Sequence, residues 1–459
     1  MPNTDLVHTM KLLQQTLLLV GMILSFAMGS VEAQTKTSNP VKELEAWLEK
    51  PVDERGDFSK QEFRNAGLKK DQAEKVKELL WSDYVKRTKK SRQQEWKDKV
   101  IKLGDLSMKF DYKIYGEKPK SGRSLFISMH GGGGTRARVN DQQWRNQIGL
   151  YQPEEGVYLA PRAPTNKWNL WHEPHIDKFF KRIIQDAILL EDVDPNRVYI
   201  MGYSAGGDGV YQLAPRMADY LAAAAMMAGH PNGVSPRNLR NIGFTLHMGG
   251  KDRAYKRNDI ARKWKKKLAD LKEWDSDGYE HEVIIHEEFG HWMQKKDAVA
   301  VPWMAKFTRN PRPEKIVWRQ SGVKHDSFYW LAQKPEQLKA NSEIIASKEG
   351  QTFTIESFTD VNRIDIQLND QVVDLDESVV VDFGGGTKFS RKLSRQLSRI
   401  YDSIEKHGDP EKVYSARFSV PFPQEVLERA AAKVEMNAGE KQASEKAAKE
   451  TAKEAAGSK

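Results

Sequence analysis

The chain has 459 residues, of which 39% are hydrophobic and 30% charged, with 73 Lys and Arg against 64 Asp and Glu for a net charge of +9. That length can bury a sizeable core and exceeds one ordinary compact domain, so two units with appendages are expected. The absence of cysteine excludes disulfides, thiolate metal sites and lipid attachment through an N-terminal cysteine. The mild basic excess lies in helix-like runs such as Lys265-Lys266-Lys267, without the interleaved aromatics of a nucleic-acid surface.

From the start of the chain, Lys11 precedes an apolar run from Leu12 to Met28, which exits through small residues at Val31-Glu32-Ala33. This predicts a secretory signal over 1–33 cleaved after Ala33, a secreted or periplasmic product, and no stable membrane span once it is removed. A retained anchor is the alternative, but Gln14, Gln15 and Thr16 interrupt the run. Residues 34–106 read as a helical N-terminal extension, because Leu44, Trp47, Leu48, Val76, Leu79, Leu80 and Tyr84 recur at helical spacing; Pro51 and Gly67 break it.

From about Ser107 short β-type runs alternate with helical ones, which predicts an α/β domain over 107–312 with a mostly parallel sheet. The predicted strands are 108–115, 124–129, 157–160, 197–201, 222–227, 243–248 and 282–286; the helices are 140–150, 175–190, 205–220, 260–271 and 298–306. Pro311 and Pro313 mark a linker. Beyond it, 313–423 is strand-dominated apart from a helix-like run over 390–405, and is expected to form a separately folding β-rich unit, a sandwich, that affects substrate access more than chemistry. The stretch 424–459 is Ala, Lys and Glu with few large apolar residues, and so reads as a solvated helix or disordered tail.

The chemistry centres on Gly202-Tyr203-Ser204-Ala205-Gly206, where a β-type run ends in a serine with glycine at both second neighbours and a helix begins at once. A strand-to-helix elbow needs that spacing, since side chains at 202 or 206 would collide with the neighbouring strand and helix. Ser204 is the candidate nucleophile. Upstream, His130-Gly131-Gly132-Gly133-Gly134 follows a buried strand and can turn backbone N–H groups toward a developing oxyanion; Gly132 and Gly133 are the candidates, with Ala205 as the other donor. A phosphate loop would need a lysine and a hydroxyl residue next, and Thr135-Arg136-Ala137 follows instead. Downstream, one strand ends at Gly249-Gly250-Lys251-Asp252 and the last at Phe289-Gly290-His291. Serine, acid and imidazole in that order make Asp252 and His291 the candidate partners of Ser204. Asp208 and Asp259 are the competing acids, the first a turn into the serine's helix, the second at a helix start.

His281 to His286 and His286 to His291 each resemble a zinc-binding H-E-x-x-H with one residue too many, which turns the second histidine off the ligand face of a helix. No metal or cofactor is expected. Trp168, Trp171 and His172, crowded in one loop, are candidate walls of a substrate pocket together with Tyr203 and Trp292.

These motifs, across roughly 107–310, resemble the α/β-hydrolase superfamily, most closely its polyhydroxybutyrate depolymerase and feruloyl esterase group. The resemblance implies an exported serine hydrolase that cleaves carboxylic esters, polymeric or aromatic, through an acyl-enzyme and without a cofactor. A prolyl oligopeptidase-type peptidase shares the catalytic order, but its large propeller has no counterpart here. A ligand-binding protein on a hydrolase scaffold is the remaining alternative.

Overall fold

The computed structural model describes residues 39–432; the expected signal over 1–33 and most of the tail over 424–459 lie outside the described residues. Among the described residues no helix is long and apolar enough to cross a membrane.

Helix α1 (Pro40–Glu49) starts where Asn39 accepts from the N–H groups of Val41 and Lys42, and proline fills its first position. After Pro51 come short 3-10 turns, then helix α2 (Lys70–Lys97), which buries Val76, Leu80 and Tyr84 at i, i+4 spacing in an N-terminal cluster and Trp96, near its end, in the core of the α/β body. Strand β1 (Val100–Leu103) follows directly and forms a hairpin with β2 (Leu106–Tyr115). The predicted helical extension therefore stops short of 106. Only four residues long and abutting a 28-residue helix, β1 offers too short an alternation to stand out.

The remaining strands of the main sheet are β3 (Arg123–Met129), β4 (Gly156–Arg162), β5 (Val193–Tyr203), β6 (Ala223–Met227), β7 (Gly243–Gly249) and β8 (His281–His286). Their order is β1-β2-β4-β3-β5-β6-β7-β8. β2 runs antiparallel to β1 and β4, and every pairing from β4 through β8 is parallel. Helices α3 (Ala137–Gln147), α4 (Pro174–Leu190), α5 (Ala205–Arg216) and α6 (Arg257–Trp274) lie between them, and α7 (Ala300–Met304) follows β8. The interior strands are buried on both faces, which is why they read as unbroken apolar runs. Alternate residues go to opposite sides: Leu125, Ile127, Val198 and Ile200 pack with α4, α5 and α6, whereas Phe126, Tyr199 and Met201 pack with Met293 and α7. Such a sheet gathers the loops after β3, β5, β7 and β8 at one edge.

Beyond the prolines, strands β9 (Lys315–Arg319), β12 (Glu343–Glu349), β13 (Thr352–Thr359), β15 (Ser378–Asp382) and β16 (Lys388–Lys392) form one sheet. A second consists of β10 (Ser327–Phe328), β11 (Leu331–Ala332), β14 (Arg363–Leu368) and β17 (Ala416–Pro421). Ile344, Phe353 and Val381 of the first share a core with Ile364, Ile366 and Phe418 of the second. The run predicted as helix over 390–405 divides: Lys388–Lys392 pairs with β15, and helix α8 (Leu397–His407) begins only after Arg395–Gln396 has paired with Gly67–Leu68.

The prolines do not isolate this unit. Leu397, Ile400 and Ile404 of α8 pack into one cluster with Leu44, Trp47, Val76 and Leu80 of the N-terminal helices. The core of the two C-terminal sheets is continuous with that of the α/β body. Buried polar contacts cross the seam: Arg309, which also donates to the Asp219 carbonyl at 3.0 Å, donates to Asp409 at 2.8 Å, Lys412 pairs with Asp219, and His325 lies 2.7 Å from Asp177, which Arg216 of the α/β body also holds at 2.5 Å. A linker can be marked by proline and still join two surfaces that bury each other's charges.

Candidate active site

The elbow at the end of β5 explains its own sequence. Ser204 sits at φ 58° and ψ −120°, a conformation that costs a residue with a Cβ and persists only where the surroundings over-determine it. A Cβ at Gly202 would overlap the backbone of Gly206, and one at Gly206 would overlap the Met129 carbonyl on β3. The Ser204 N–H donates to the Met227 carbonyl at 2.9 Å, pinning the turn to β6. Its Oγ lies 3.0 Å from His291 Nε2, and His291 Nδ1 lies 2.7 Å from Asp252 Oδ2. The three predicted partners thus meet in one line. The imidazole side chain is 44% exposed whereas the Asp252 side chain is 2% exposed, so the acid is dry while the imidazole reaches solvent beside the half-buried serine.

The acid and imidazole loops are held together through their backbones. Lys251 N–H donates to the Phe289 carbonyl and Gly250 N–H to the His286 carbonyl, each at 2.9 Å. Asn258, which the sequence reading passed over, closes the acid turn: its N–H donates to the Asp252 carbonyl at 3.0 Å and its Nδ2 to the Gly250 carbonyl at 2.9 Å. Neither competing acid reaches His291. Asp208 is turned away and accepts from the His230 N–H at 2.5 Å and Asn232 Nδ2 at 3.3 Å, and burial raises its pKa above the usual carboxylate range. Asp259 lies in the first turn of α6, where its N–H is bonded to Asn258 Oδ1.

The glycine loop departs from expectation at one position. Gly132 and Gly133 have φ of 103° and 80°, values that require glycine, but the Gly133 N–H already donates to Asn140 Oδ1 at 2.8 Å. Asn140 is fully buried and anchored in turn to Asn166 at 2.9 Å. Gly133 is therefore a clamped position rather than an open donor, whereas the amides of Gly132 and Ala205 have no acceptor among the described residues. Asn140 was legible only as the start of a helix; a polar side chain facing the glycine loop was the missed signal. His130 is buried and neutral, its pKa pushed down to about 4 by burial. Because its Nε2 accepts from the Ala163 N–H at 3.2 Å, its Nδ1 carries the proton and donates to the Gly131 carbonyl at 2.6 Å.

The candidate pocket residues separate into two kinds. Trp168 and Trp292 are exposed beside the site. Trp171 is not a wall: it is fully buried, donates from Nε1 to the His130 carbonyl at 2.9 Å and packs on Phe180. Tyr203 is also buried. Its hydroxyl donates to the His291 carbonyl at 2.6 Å and accepts from the Met293 N–H at 3.0 Å, so it braces the histidine loop. His172 lies edge-on to Trp168 with ring centres 5.4 Å apart, and burial first, then Arg216, pushes its pKa down to about 4. One zinc-like spacing, His281 to His286, is strand β8 and the other runs from its end into the loop at His291, so neither is helical; among the described residues no group of three or more His, Asp or Glu side chains could hold a metal ion.

No protein-family model matches the sequence. Over 114 residues it is 30% identical to NocK of Nocardia uniformis subsp. tsuyamanensis, a protein named as a proposed esterase; the match covers 24% of this chain and spans 33% of that protein's length. Among solved structures it is similar to a thermostable esterase, with 17% identity and a TM-score of 0.34 over 46% of this chain and 62% of that one. It is similar also to a feruloyl esterase module from Clostridium thermocellum complexed with sinapinate, with 13% identity and a TM-score of 0.33 over 45% of this chain and 86% of that one. A strained serine after β5 that meets an acid after β7 and an imidazole after β8, on a sheet ordered β1-β2-β4-β3-β5-β6-β7-β8 with β2 reversed, is the arrangement of the α/β-hydrolase fold, and this chain has that fold.

Proposed function

We propose that the protein is an exported serine hydrolase that cleaves carboxylic esters through an acyl-enzyme. The observation that carries this reading is the line from Asp252 through His291 to Ser204, at 2.7 and 3.0 Å. Ser204 Oγ–H donates to His291 Nε2, so the imidazole takes the serine proton as Oγ attacks the ester carbonyl. Asp252 holds the proton on Nδ1 and stabilises the imidazolium. The oxyanion receives the N–H groups of Ala205, at the start of α5, and Gly132. His291 then returns the proton to the departing alkoxide, and water attacks the acyl-enzyme by the same route.

The exposed imidazole of His291 and the exposed rings of Trp168 and Trp292 beside it favour a substrate that lies across the site, such as a polymer or an aromatic ester. Export rests on the apolar run and Val31-Glu32-Ala33; N-terminal sequencing of secreted protein should begin at or near Gln34. A fluorophosphonate probe tests the chemistry: it should label the native chain and fail on Ser204→Ala. A panel of matched esters and anilides then separates esterase from peptidase. Absence of labelling on folded native protein, or turnover confined to the anilides, would overturn the reading.

A further inference from the structure

Four loops gather at the sheet edge where Ser204 lies: 130–138 after β3, 163–173 after β4, 250–257 after β7 and 287–299 after β8, the first and third counted into the opening turn of the helix that follows. They hold nine Lys and Arg against five Asp and Glu, so under a tenth of the chain carries +4 of its net +9. The loop after β6, 228–236, adds no Lys, Arg, Asp or Glu.

The pairing is more one-sided than the count. Every acid in these loops is taken: Glu173 by Lys167 at 2.8 Å, Asp252 by His291, Glu287 by Arg262 of α6 at 2.7 Å, Glu288 by Lys251 at 3.1 Å, and buried Asp297 by the Tyr151 hydroxyl. Two further cations are offset by buried carboxylates, Arg257 by Asp252 at 4.0 Å and Lys295 by Asp297. Arg136, Arg138, Arg253, Lys256 and Lys296 are all exposed, and none makes an ion pair or side-chain hydrogen bond among the described residues. Five free cations therefore face no free carboxylate. Helix α2 is different, for it sets exposed Asp71, Glu74 and Glu78 among its lysines. Exposed rings interleave with the cations: Tyr255 lies between Arg253 and Lys256, and Trp292 shares a loop with Lys296. Charges of one sign around an open site act over a Debye length of about 10 Å at 0.1 M salt and raise the local concentration of the opposite charge by about tenfold or more.

We infer that the preferred ester is an anion, a substrate that carries a carboxylate, sulfate or phosphate outside the scissile group and is drawn to Ser204 by Arg136, Arg138, Arg253, Lys256 and Lys296. The inference rests on the ester-hydrolase reading above and adds its substrate class. The exposed rings supply apolar surface for the part of the substrate between its charge and its ester.

Two matched pairs of soluble esters test this on the full chain. Para-nitrophenyl hexanoate against the para-nitrophenyl monoester of adipic acid puts the charge on the acyl side; the acetates of para-hydroxyphenylacetamide and para-hydroxyphenylacetate put it on the alcohol side. Each kcat/KM is measured as sodium chloride rises from about 10 mM to about 500 mM, which shortens the Debye length from about 30 Å to a few Å. In at least one pair the anionic ester should lose about tenfold in kcat/KM across the series while its neutral twin stays level. The pair that responds shows which side bears the charge. Arg136→Glu with Arg138→Glu, at the exposed start of α3 where an acid suits the helix, and separately Arg253→Glu should lower the anionic-to-neutral ratio at low salt and flatten its salt slope. Lost folding or serine reactivity cannot imitate that readout, because both esters share it. Serine labelling rates with fluorophosphonates ending in a carboxylate or in an amide, over the same salt series, give the comparison without turnover. Equal salt responses of charged and neutral members in both ester pairs and both probes, or ratios unmoved by the charge reversals, would overturn the inference while Ser204 stays a labelled nucleophile. No labelling by either probe would instead overturn the hydrolase reading, and this inference with it.

Discussion

Gly249 and Gly290 touch across the floor of the acid and imidazole loops so closely that a Cβ at 249 would overlap the Gly290 carbonyl oxygen. The contact sets the distance between Asp252 and His291, because Gly249 lies three residues before Asp252, Gly290 directly precedes His291, and the intervening backbone is hydrogen-bonded across the gap. Gly249→Ala should push the loops apart and lower kcat by about 100-fold, the cost of a misplacement near 1 Å, with a smaller change in KM. Steady-state kinetics on a soluble ester, with circular dichroism to verify folding, checks this. Unchanged kcat in a folded variant would show that the glycine pair does not set the geometry.

Asp252→Asn should keep the fold and lower turnover by about four orders of magnitude, because an amide at that position favours the wrong imidazole tautomer. Asp259→Asn, on an exposed helix turn, should change it by a small factor. Asp208→Asn should act on stability through the His230 N–H and Asn232 rather than on the proton relay. A collapse of turnover in either of the latter two, beside a near-normal Asp252→Asn, would reassign the acid.

Stability should fall steeply in mild acid. Burial pushes the pKa values of His130 and His172 down to about 4 and that of His247 to about 3, from 6.5. With the folded value depressed, the unfolded chain binds more protons between about 3 and 6.5, so unfolding free energy rises with pH across that window. The contribution is complete above 6.5 and is lost as pH drops through it toward 4. Melting temperatures measured from pH 7 to pH 4 should fall continuously, and His130→Gln should flatten part of the slope. A melting temperature constant between pH 7 and pH 5 would contradict the buried neutral histidines.

Much of this architecture was legible because two periodicities carry it. The buried strands from Ser124 to Gly249 announce themselves as apolar runs and the half-buried edge strand His281–His286 as a short β-branched one, and Ser204, Asp252 and His291 each follow one of these strands, so strand ends and site residues were read together. What escaped was long-range. Asn140 looked like ordinary helix composition because nothing local says that its carboxamide meets the Gly133 N–H. Trp171 looked like a pocket wall because an aromatic in a loop does not declare which way it turns. Lys388–Lys392 is too charged to read as a strand, yet it pairs along the whole of β15. The proline linker misled for the same reason: Arg309, Asp409, Lys412 and Asp219 have the composition of surface, and only the tertiary fold buries them.

That burial yields the last prediction. Lys412 and Asp219 are 2% and 3% exposed, and the Arg309 and Asp409 side chains beside them are 1% and 2% exposed. Charges so far from water are tolerated only in pairs, so removing one partner leaves the other desolvated and unbalanced. Lys412→Ala should therefore cost about 3–5 kcal/mol of unfolding free energy, far more than an exposed lysine would. Lys412→Met with Asp219→Leu, which removes both charges, should recover much of that loss. Truncation before Lys315 should be worse still, because it strips Arg309 of Asp409, Asp219 of Lys412 and Asp177 of His325 at once. Such a fragment is expected to be insoluble or unfolded, and its failure to turn over ester would then reflect lost folding rather than a catalytic role for the C-terminal sheets. Chemical denaturation of the native chain and the two full-length variants decides the matter: if Lys412→Ala unfolds within 1 kcal/mol of the native chain, or if the double variant is no better than the single one, the seam is not held by these pairs, and the C-terminal unit should prove separable.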